Sequence, residues 1–276
     1  MVFKRMHRSN KVNPIYIDTA FYSSSKNICL LELKVRNRPG VLSNISRLLA
    51  EKGVNIVKVI VPKPSTVDVK ESDLALIIEA DHGTRSEDIV RDLKRGIKEV
   101  IDVSLQKSNK GFLFMNFNPI LFIDQRVLLF PFPAFAEILR LIDEYGITFL
   151  ALLARIGEKF GQGIYRLFSG NIQGPLDVQD YNTLSAAFLD ALQALGFGSI
   201  EVVLNNASDG EVMFRIYNNF ECSHYKLSRE PKGYFTRAVI RGFYRMLWGR
   251  EKVGVKELKC IACGDKYCEF HVYMSL

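Results

Sequence analysis

Three of the five cysteines in this 276-residue chain crowd into one stretch near its end, and that stretch restricts the fold more than any other feature. It reads Glu257-Leu-Lys-Cys260-Ile-Ala-Cys263-Gly264-Asp265-Lys-Tyr-Cys268-Glu-Phe-His271. Cys260 and Cys263 form a C-x2-C pair closed by Gly264, which turns tightly and leaves both sulfurs on one side of a bend. Cys268 returns on the next strand. A zinc ion takes four tetrahedral N, S or O ligands, and a thiol knuckle with one neighbour supplies them. A cysteine-rich hairpin with no role for its sulfurs is the plainer alternative. A disulfide is not expected, because nothing in the chain points to an oxidising compartment.

The same residues resemble the end of a 4-vinyl reductase domain, a hydrocarbon-binding family with the signature E-x-x-C-x-A-x-G-D-x-x-C-x-F. Glu257, Cys260, Ala262, Gly264, Asp265, Cys268 and Phe270 match it here. In the related sensor domains of aromatic-responsive regulators the glutamate and both cysteines bind a structural zinc with one further cysteine from an upstream helix. By the family's spacing that position falls near Tyr234, so the fourth ligand must come from elsewhere. Cys263 is the nearest substitute and completes the expected set Glu257, Cys260, Cys263 and Cys268, with Cys222, His224 and His271 behind it.

Length permits one large domain or two ordinary ones. With 48% apolar residues and 24% charged ones interspersed, the composition is that of a globular chain with real cores. The net charge of +7 permits attraction to nucleic acid or an anionic lipid surface, but such a balance also occurs in proteins that touch neither. No run reaches the roughly 18 uncharged apolar residues of a spanning helix, and the basic residues 1–11 have no apolar stretch behind them. A cytoplasmic protein is expected, where thiols stay free or metal-bound.

Residues 1–26 form a basic N-terminal arm, with Lys4, Arg5, Arg8 and Lys11 beside the more apolar Tyr16, Ile17, Phe21 and Tyr22. It reads as a docked arm or a flexible terminus in preference to a nucleic-acid contact. Residues 28–35 alternate as a strand, an Arg38-Pro39-Gly40 turn follows, and Val41, Leu42, Ile45, Leu48 and Leu49 recur at helical spacing. Strands at 54–61 and 74–80, a helix at 88–98 and a strand at 100–105 complete a βαββαβ unit over residues 27–107. One antiparallel sheet with two helices on one face is the expected result.

Asn37-Arg38-Pro39-Gly40-Val41-Leu42 followed by Gly53-Val54-Asn55-Ile56 resembles the strand-turn-helix-strand signature of ACT domains. The resemblance implies side-by-side pairing into a homodimer and an amino-acid effector at the shared interface, held by Asn37, Arg38, Gly40, Val41 and Leu42. A glycine at this helix start lets a small anion approach the unpaired N–H groups. Asn37 matches the effector-binding asparagine of the serine-feedback domain of phosphoglycerate dehydrogenase, but Val35 stands where that enzyme has histidine, which argues against serine. A domain that only dimerises is the alternative.

The polar residues 106–111 mark the expected boundary, after which residues 112–276 form the 4-vinyl reductase-type domain. The pattern predicts a hairpin around Asp124-Gln125, helices at 134–145, 148–168, 178–195 and 233–248, and a hairpin around residues 207–210. The fold class is thus α+β: a ferredoxin-like βαββαβ domain, then about four helices packed on an antiparallel sheet. The family is similar to the tethering subunits of the transport protein particle, whose helices and sheet enclose an acyl chain. Phe130, Phe135, Phe149, Phe214, Tyr217, Phe235 and Phe243 are the candidate lining of an apolar pocket, although aromatics at helical spacing are more often core. Arg237, Arg241 and Arg245 share a helix face, as a solvated stripe or as a receptor for a ligand headgroup.

No nucleophile elbow, P-loop or dinucleotide fingerprint occurs, and a thiol-ringed zinc lacks the open position that hydrolysis needs. The expected function is therefore a non-enzymatic ligand-binding regulator, joining an ACT effector or dimerisation module to a zinc-stabilised pocket for a small hydrophobic molecule. The alternative is a trafficking-type adaptor with a permanently bound acyl chain. No helix-turn-helix remains unassigned, so nucleic acid is not an expected partner.

Overall fold

The computed structural model describes residues 20–24, 27–62, 69–80, 86–114, 120–122, 125–171, 181–225 and 227–275. The chain divides into two compact units, Met1–Ile120 and Leu121–Leu276. Among the described residues, no helix is long and apolar enough to cross a membrane.

The first unit contains β1 (Ala20–Tyr22), β2 (Ile28–Arg36), α1 (Val41–Glu51), β3 (Asn55–Ile60), β4 (Glu71–Glu79), α2 (Ser86–Gly96), β5 (Val100–Lys107) and β6 (Phe112–Phe114). Strands β2 to β5 form an antiparallel sheet in the order β3-β4-β2-β5, as the βαββαβ pattern predicts. Strand β2 is central and reads as nearly continuous apolar residues because both of its faces are covered. Cys29, Leu31, Leu33 and Val35 pack with Ile45 and Leu49 of α1 and with Ile89 and Leu93 of α2. On the opposite face Ile28 and Leu30 join Ala75, Ile77 and Ile60 under Leu113, which is fully buried.

That second face corrects the expected boundary at residues 106–111. Strand β5 runs on to Lys107, the chain reverses at Asn109 to Phe112, and β6 then pairs with β1 in the register Tyr22↔Phe112 to Ala20↔Phe114. The polar stretch is a turn, and the apolar residues after it roof the sheet. Of the N-terminal arm, Phe21 packs in this layer, whereas Lys4, Arg5, Arg8, Lys11, Tyr16 and Ile17 lie outside the described residues.

The second unit begins with the short pair β7 (Leu121–Phe122) and β8 (Gln125–Arg126), followed by α3 (Phe132–Asn171) and α4 (Tyr181–Ala194). The helices expected at 134–145 and 148–168 are one run broken at Gly146, whose φ of 56° and ψ of −133° are not helical. A residue without Cβ makes that break tolerable. Next come β9 (Ser199–Asn206), β10 (Glu211–Tyr217), α5 (Tyr234–Trp248), β11 (Val253–Lys259) and β12 (Cys268–Met274), with sheet order β11-β12-β10-β9. Helix α5 packs against α3 so closely that a Cβ on Gly161 would strike the Val239 carbonyl oxygen, and one on Gly242 would strike that of Glu158. On the sheet side, Phe214, Ile216, Val255, Phe270 and Val272 join Val239, Ile240 and Phe243 in one core.

Candidate metal centre

The C-terminal hairpin does bring sulfur and carboxylate together. Cys222 opens a short 3-10 turn after β10, Glu257 lies near the end of β11, Cys260 follows that strand, and Cys268 begins β12. One ligand atom from each of these four residues lies within 4.8 Å of all the others, and all four residues are buried. Ligands at the corners of a tetrahedral zinc site, with Zn–S near 2.3 Å and Zn–O near 2.1 Å, stand roughly 3.5–3.8 Å apart. The Cys222 thiol lies 3.6 Å from Glu257 Oε1, so the donors fit such an ion in kind and this pair fits it in spacing.

Local structure explains why each donor points inward. Asn219 Oδ1 accepts the N–H groups of Glu221 (3.0 Å) and Cys222 (3.1 Å), an Asx turn that presents the Cys222 side chain. The Glu221 carboxylate meanwhile accepts Phe235 N, Thr236 N and Thr236 Oγ1, each at 2.8 Å, and so ties this turn to the start of α5. Asp265 Oδ2 accepts Cys260 N at 2.8 Å, and Cys260 O accepts Cys263 N at 2.9 Å, which folds the knuckle. Ile261 N donates to Cys268 Sγ at 3.4 Å.

The electrostatics are those of a donor set gathered away from water. Burial pushes the Glu257 carboxyl up to about 8, with its hydrogen bond to Cys260 acting in the same direction. Hydrogen bonding to Cys260 and Cys268 pushes the Cys222 thiol well above the ordinary thiol range, and the same contacts hold Cys260 far below it. A cation bound among these coupled groups would displace the protons they share. Gly233 N at 3.1 Å and Arg237 Nε at 3.8 Å also face Glu257 Oε2.

Three of the four expected ligands, Glu257, Cys260 and Cys268, are therefore together. Cys263 is not: its residue is exposed and lies outside the converging set, and Cys222 takes its place. In a C-x2-C turn the second cysteine faces the hairpin's outer side here, because Ala262 occupies the buried position. His224 and His271 are also outside the set, the latter bound to Glu211 Oε1 at 2.9 Å.

Of the seven aromatic residues expected to line one pocket, Phe214 and Phe243 lie in packed core. Phe243 stacks on Phe188 at 3.9 Å between centroids, Phe214 packs on Phe270, and both are fully buried core. The Tyr217 hydroxyl donates to Glu201 Oε2 at 2.6 Å, and its ring packs on Tyr267. Phe130 is 69% exposed. Phe135 and Phe235 do meet, within a cluster that also holds Phe160, Phe197 and Phe220. Phe149 is a partly buried neighbour of the core. The arginine stripe is engaged as well: Arg241 and Arg245 reach the buried Glu158 at 3.4 and 3.3 Å, and Arg237 lies over the Tyr234 ring.

In the first unit the expected effector residues sit together at the β2–α1 turn. Gly40 caps α1 with a φ of 87°, Arg38 and Leu42 are exposed, and Asn37 N donates to Lys70 O at 2.9 Å. Val41 is instead part of the core.

These features define a two-unit α+β protein with a ferredoxin-like first unit and a buried thiol and carboxylate cluster in the second. Residues 30–94 match the ACT domain model and residues 212–273 match the 4-vinyl reductase domain model, so the chain carries one domain of each kind. No curated protein sequence matches the chain. Among solved structures it is similar to the phenol-responsive sensory domain of the transcription activator PoxR with phenol, with a TM-score of 0.48 and 18% identity over 55% of this chain and 78% of that one. It is also similar to a vinyl-4-reductase family protein from Methanocaldococcus jannaschii, with a TM-score of 0.39 and 19% identity over 54% of this chain and 85% of that one. A trafficking protein particle complex subunit 3 from Naegleria fowleri, covalently bound to palmitic acid, aligns with a TM-score of 0.41 and 16% identity over 51% of this chain and 90% of that one.

Proposed function

We propose that this chain is a cytosolic, non-enzymatic ligand-binding regulator that acts as a homodimer. Its 4-vinyl reductase-type unit is stabilised by zinc and takes a small hydrophobic molecule, while its ACT unit dimerises or takes an amino-acid effector. The observation that carries this reading is the buried convergence of Cys222, Glu257, Cys260 and Cys268. Four protein donors leave a tetrahedral ion no open position, which suits a structural role and not a hydrolytic one. When bound, the ion supplies a cross-link between the turn after β10 and the β11–β12 hairpin, so folding of that wall is linked to its occupancy.

The apolar molecule is assigned to the ring cluster of Phe135, Phe160, Phe197, Phe220 and Phe235, whose paired centroids lie 4.9 to 6.4 Å apart. Phe160 is 43% exposed there, which gives the cluster a solvent edge. Native mass spectrometry with metal analysis on the same sample tests the reading. One zinc per chain and a reversibly exchanging apolar ligand are expected. Absence of metal after growth with zinc removes the structural role, and a tightly retained acyl chain that resists exchange favours an adaptor instead.

A further inference from the structure

Cys263 is the one thiol of the C-terminal hairpin that the metal centre leaves unused. Of the five cysteines it alone is exposed; Cys29 is buried in the first unit, and Cys222, Cys260 and Cys268 are at most 1% exposed. Its thiol is nevertheless paired. Cys263 N donates to Cys260 O at 2.9 Å across the short 3-10 turn Ile261–Cys263, which Gly264 ends with a φ of 98°. A turn closed by such a bond holds its first and fourth Cα atoms within about 7 Å. A disulfide needs roughly 4.4–6.8 Å between them, so the backbone already has the span of a Cys260–Cys263 bridge. The side chains meet as well, for the Cys263 thiol hydrogen-bonds to Cys260.

Cys260 therefore has two sets of neighbours. On its buried side stand Cys222, Glu257 and Cys268, whose ligand atoms lie within 4.8 Å of its own and of one another, and on its outer side stands Cys263. One sulfur cannot serve both, because a thiolate is a metal ligand and a disulfide sulfur is not. Oxidation follows exposure, which directs an oxidant to Cys263 before the buried thiols. Slight burial and the Cys260 charge push the Cys263 thiol up, so at neutral pH it calls for an oxidant in excess.

We infer that Cys263 is an oxidation site that controls the metal centre: a hydroperoxide oxidises it, and Cys260 then leaves the donor set to form a Cys260–Cys263 disulfide. The Cys263 thiolate attacks the terminal peroxide oxygen. An S–O bond forms, the O–O bond breaks, the sulfur gives up two electrons, and the departing oxyanion takes a proton from solvent. The Cys260 thiolate then attacks the sulfenic acid sulfur; the S–S bond forms, the S–O bond breaks, and hydroxide leaves and is protonated to water. The donor set falls from four to Cys222, Glu257 and Cys268, and the ion is released. A dithiol reductant reverses the change. The inference rests on the zinc reading above.

The test uses the full-length chain with its metal content measured first. Hydrogen peroxide in excess should release its zinc, read by the absorbance of a zinc-binding dye, and peptide mass mapping should find Cys260 linked to Cys263. Cys263→Ser, which keeps all four donors, should release zinc about tenfold more slowly or less at the same peroxide concentration. The unmutated chain alkylated at Cys263 by brief native treatment with iodoacetamide should behave likewise, which separates the effect from any folding defect of the variant. Dithiothreitol should restore zinc binding to the oxidised chain. Release from Cys263→Ser at the unmutated rate, or a mapped disulfide among Cys222, Cys260 and Cys268 that leaves Cys263 free, would overturn the assignment. A chain that carries no zinc before peroxide fails the metal reading and with it the release, while the map still upholds or overturns the Cys260–Cys263 pair.

Discussion

Cys222 Sγ and Glu257 Oε1 lie 3.6 Å apart although 35 residues separate them in the chain. Between them the chain passes the 3-10 turn, runs through α5 and returns along β11, so the contact forms beside the start of that helix, where Gly233 N also donates to Glu257.

Replacing Cys222 should empty the site, whereas replacing Cys263 should not. Cys222→Ser is expected to lower zinc affinity well beyond the roughly 10–100-fold typical of a lost outer-shell partner, because a ligand itself is removed. Cys263→Ser should retain one ion per chain. Metal content after gel filtration decides between them, and loss of zinc from Cys263→Ser alone would return that cysteine to the ligand set.

Chelation should act on one unit only. At a thousandfold excess of free ion over its dissociation constant, a site contributes about 4 kcal/mol, or roughly 10 °C in melting temperature for a unit of this size. Calorimetry with and without chelator should therefore shift the transition of residues 121–276 and leave that of the ACT unit in place. A shift shared equally by both transitions would contradict a local role.

The α3–α5 contact sets a second stability prediction. A methyl group on Gly161 or Gly242 meets a backbone carbonyl, which cannot rotate aside as a side chain can. Gly161→Ala and Gly242→Ala should each cost about 1–3 kcal/mol in urea unfolding. An unchanged midpoint would show that the helices separate easily.

Acid stability of the ACT unit should depend on Asp92. A hydrogen bond from Lys52 holds its carboxyl below the ordinary 3.8. The charged form is thus favoured in the fold, and its contribution is complete above pH 3.8 and disappears as the pH falls through the lowered value. Asp92→Asn should flatten this part of the profile, read as the melting temperature of the ACT unit between about pH 5 and pH 2.

Much of this architecture was legible in the residues. The βαββαβ order followed from the short apolar run of β2 between turn signals and from helical spacing in α1 and α2, since period is a local property. Three candidate metal donors were legible because they fall within twelve residues and carry a recognisable spacing. Cys222 was harder to place. Its signals were its rarity and the Asn219-x-x-Cys222 turn, neither of which reports what lies across the sheet. Phe214 and Phe243 were hard to place for a related reason: they have the spacing of lining residues, but spacing assigns a face and not the neighbour that fills it. The expected linker at 106–111 misled because a polar turn inside a domain has the composition of one between domains.

The sequence by itself determined two domains, the order of their elements and the hairpin that gathers sulfur. Tertiary structure decided which thiol joins the candidate donor set and which aromatic rings are core. Those outcomes depend on contacts between segments tens of residues apart, set by how α5 packs on its sheet and on α3, and no local pattern of residues encodes that packing directly.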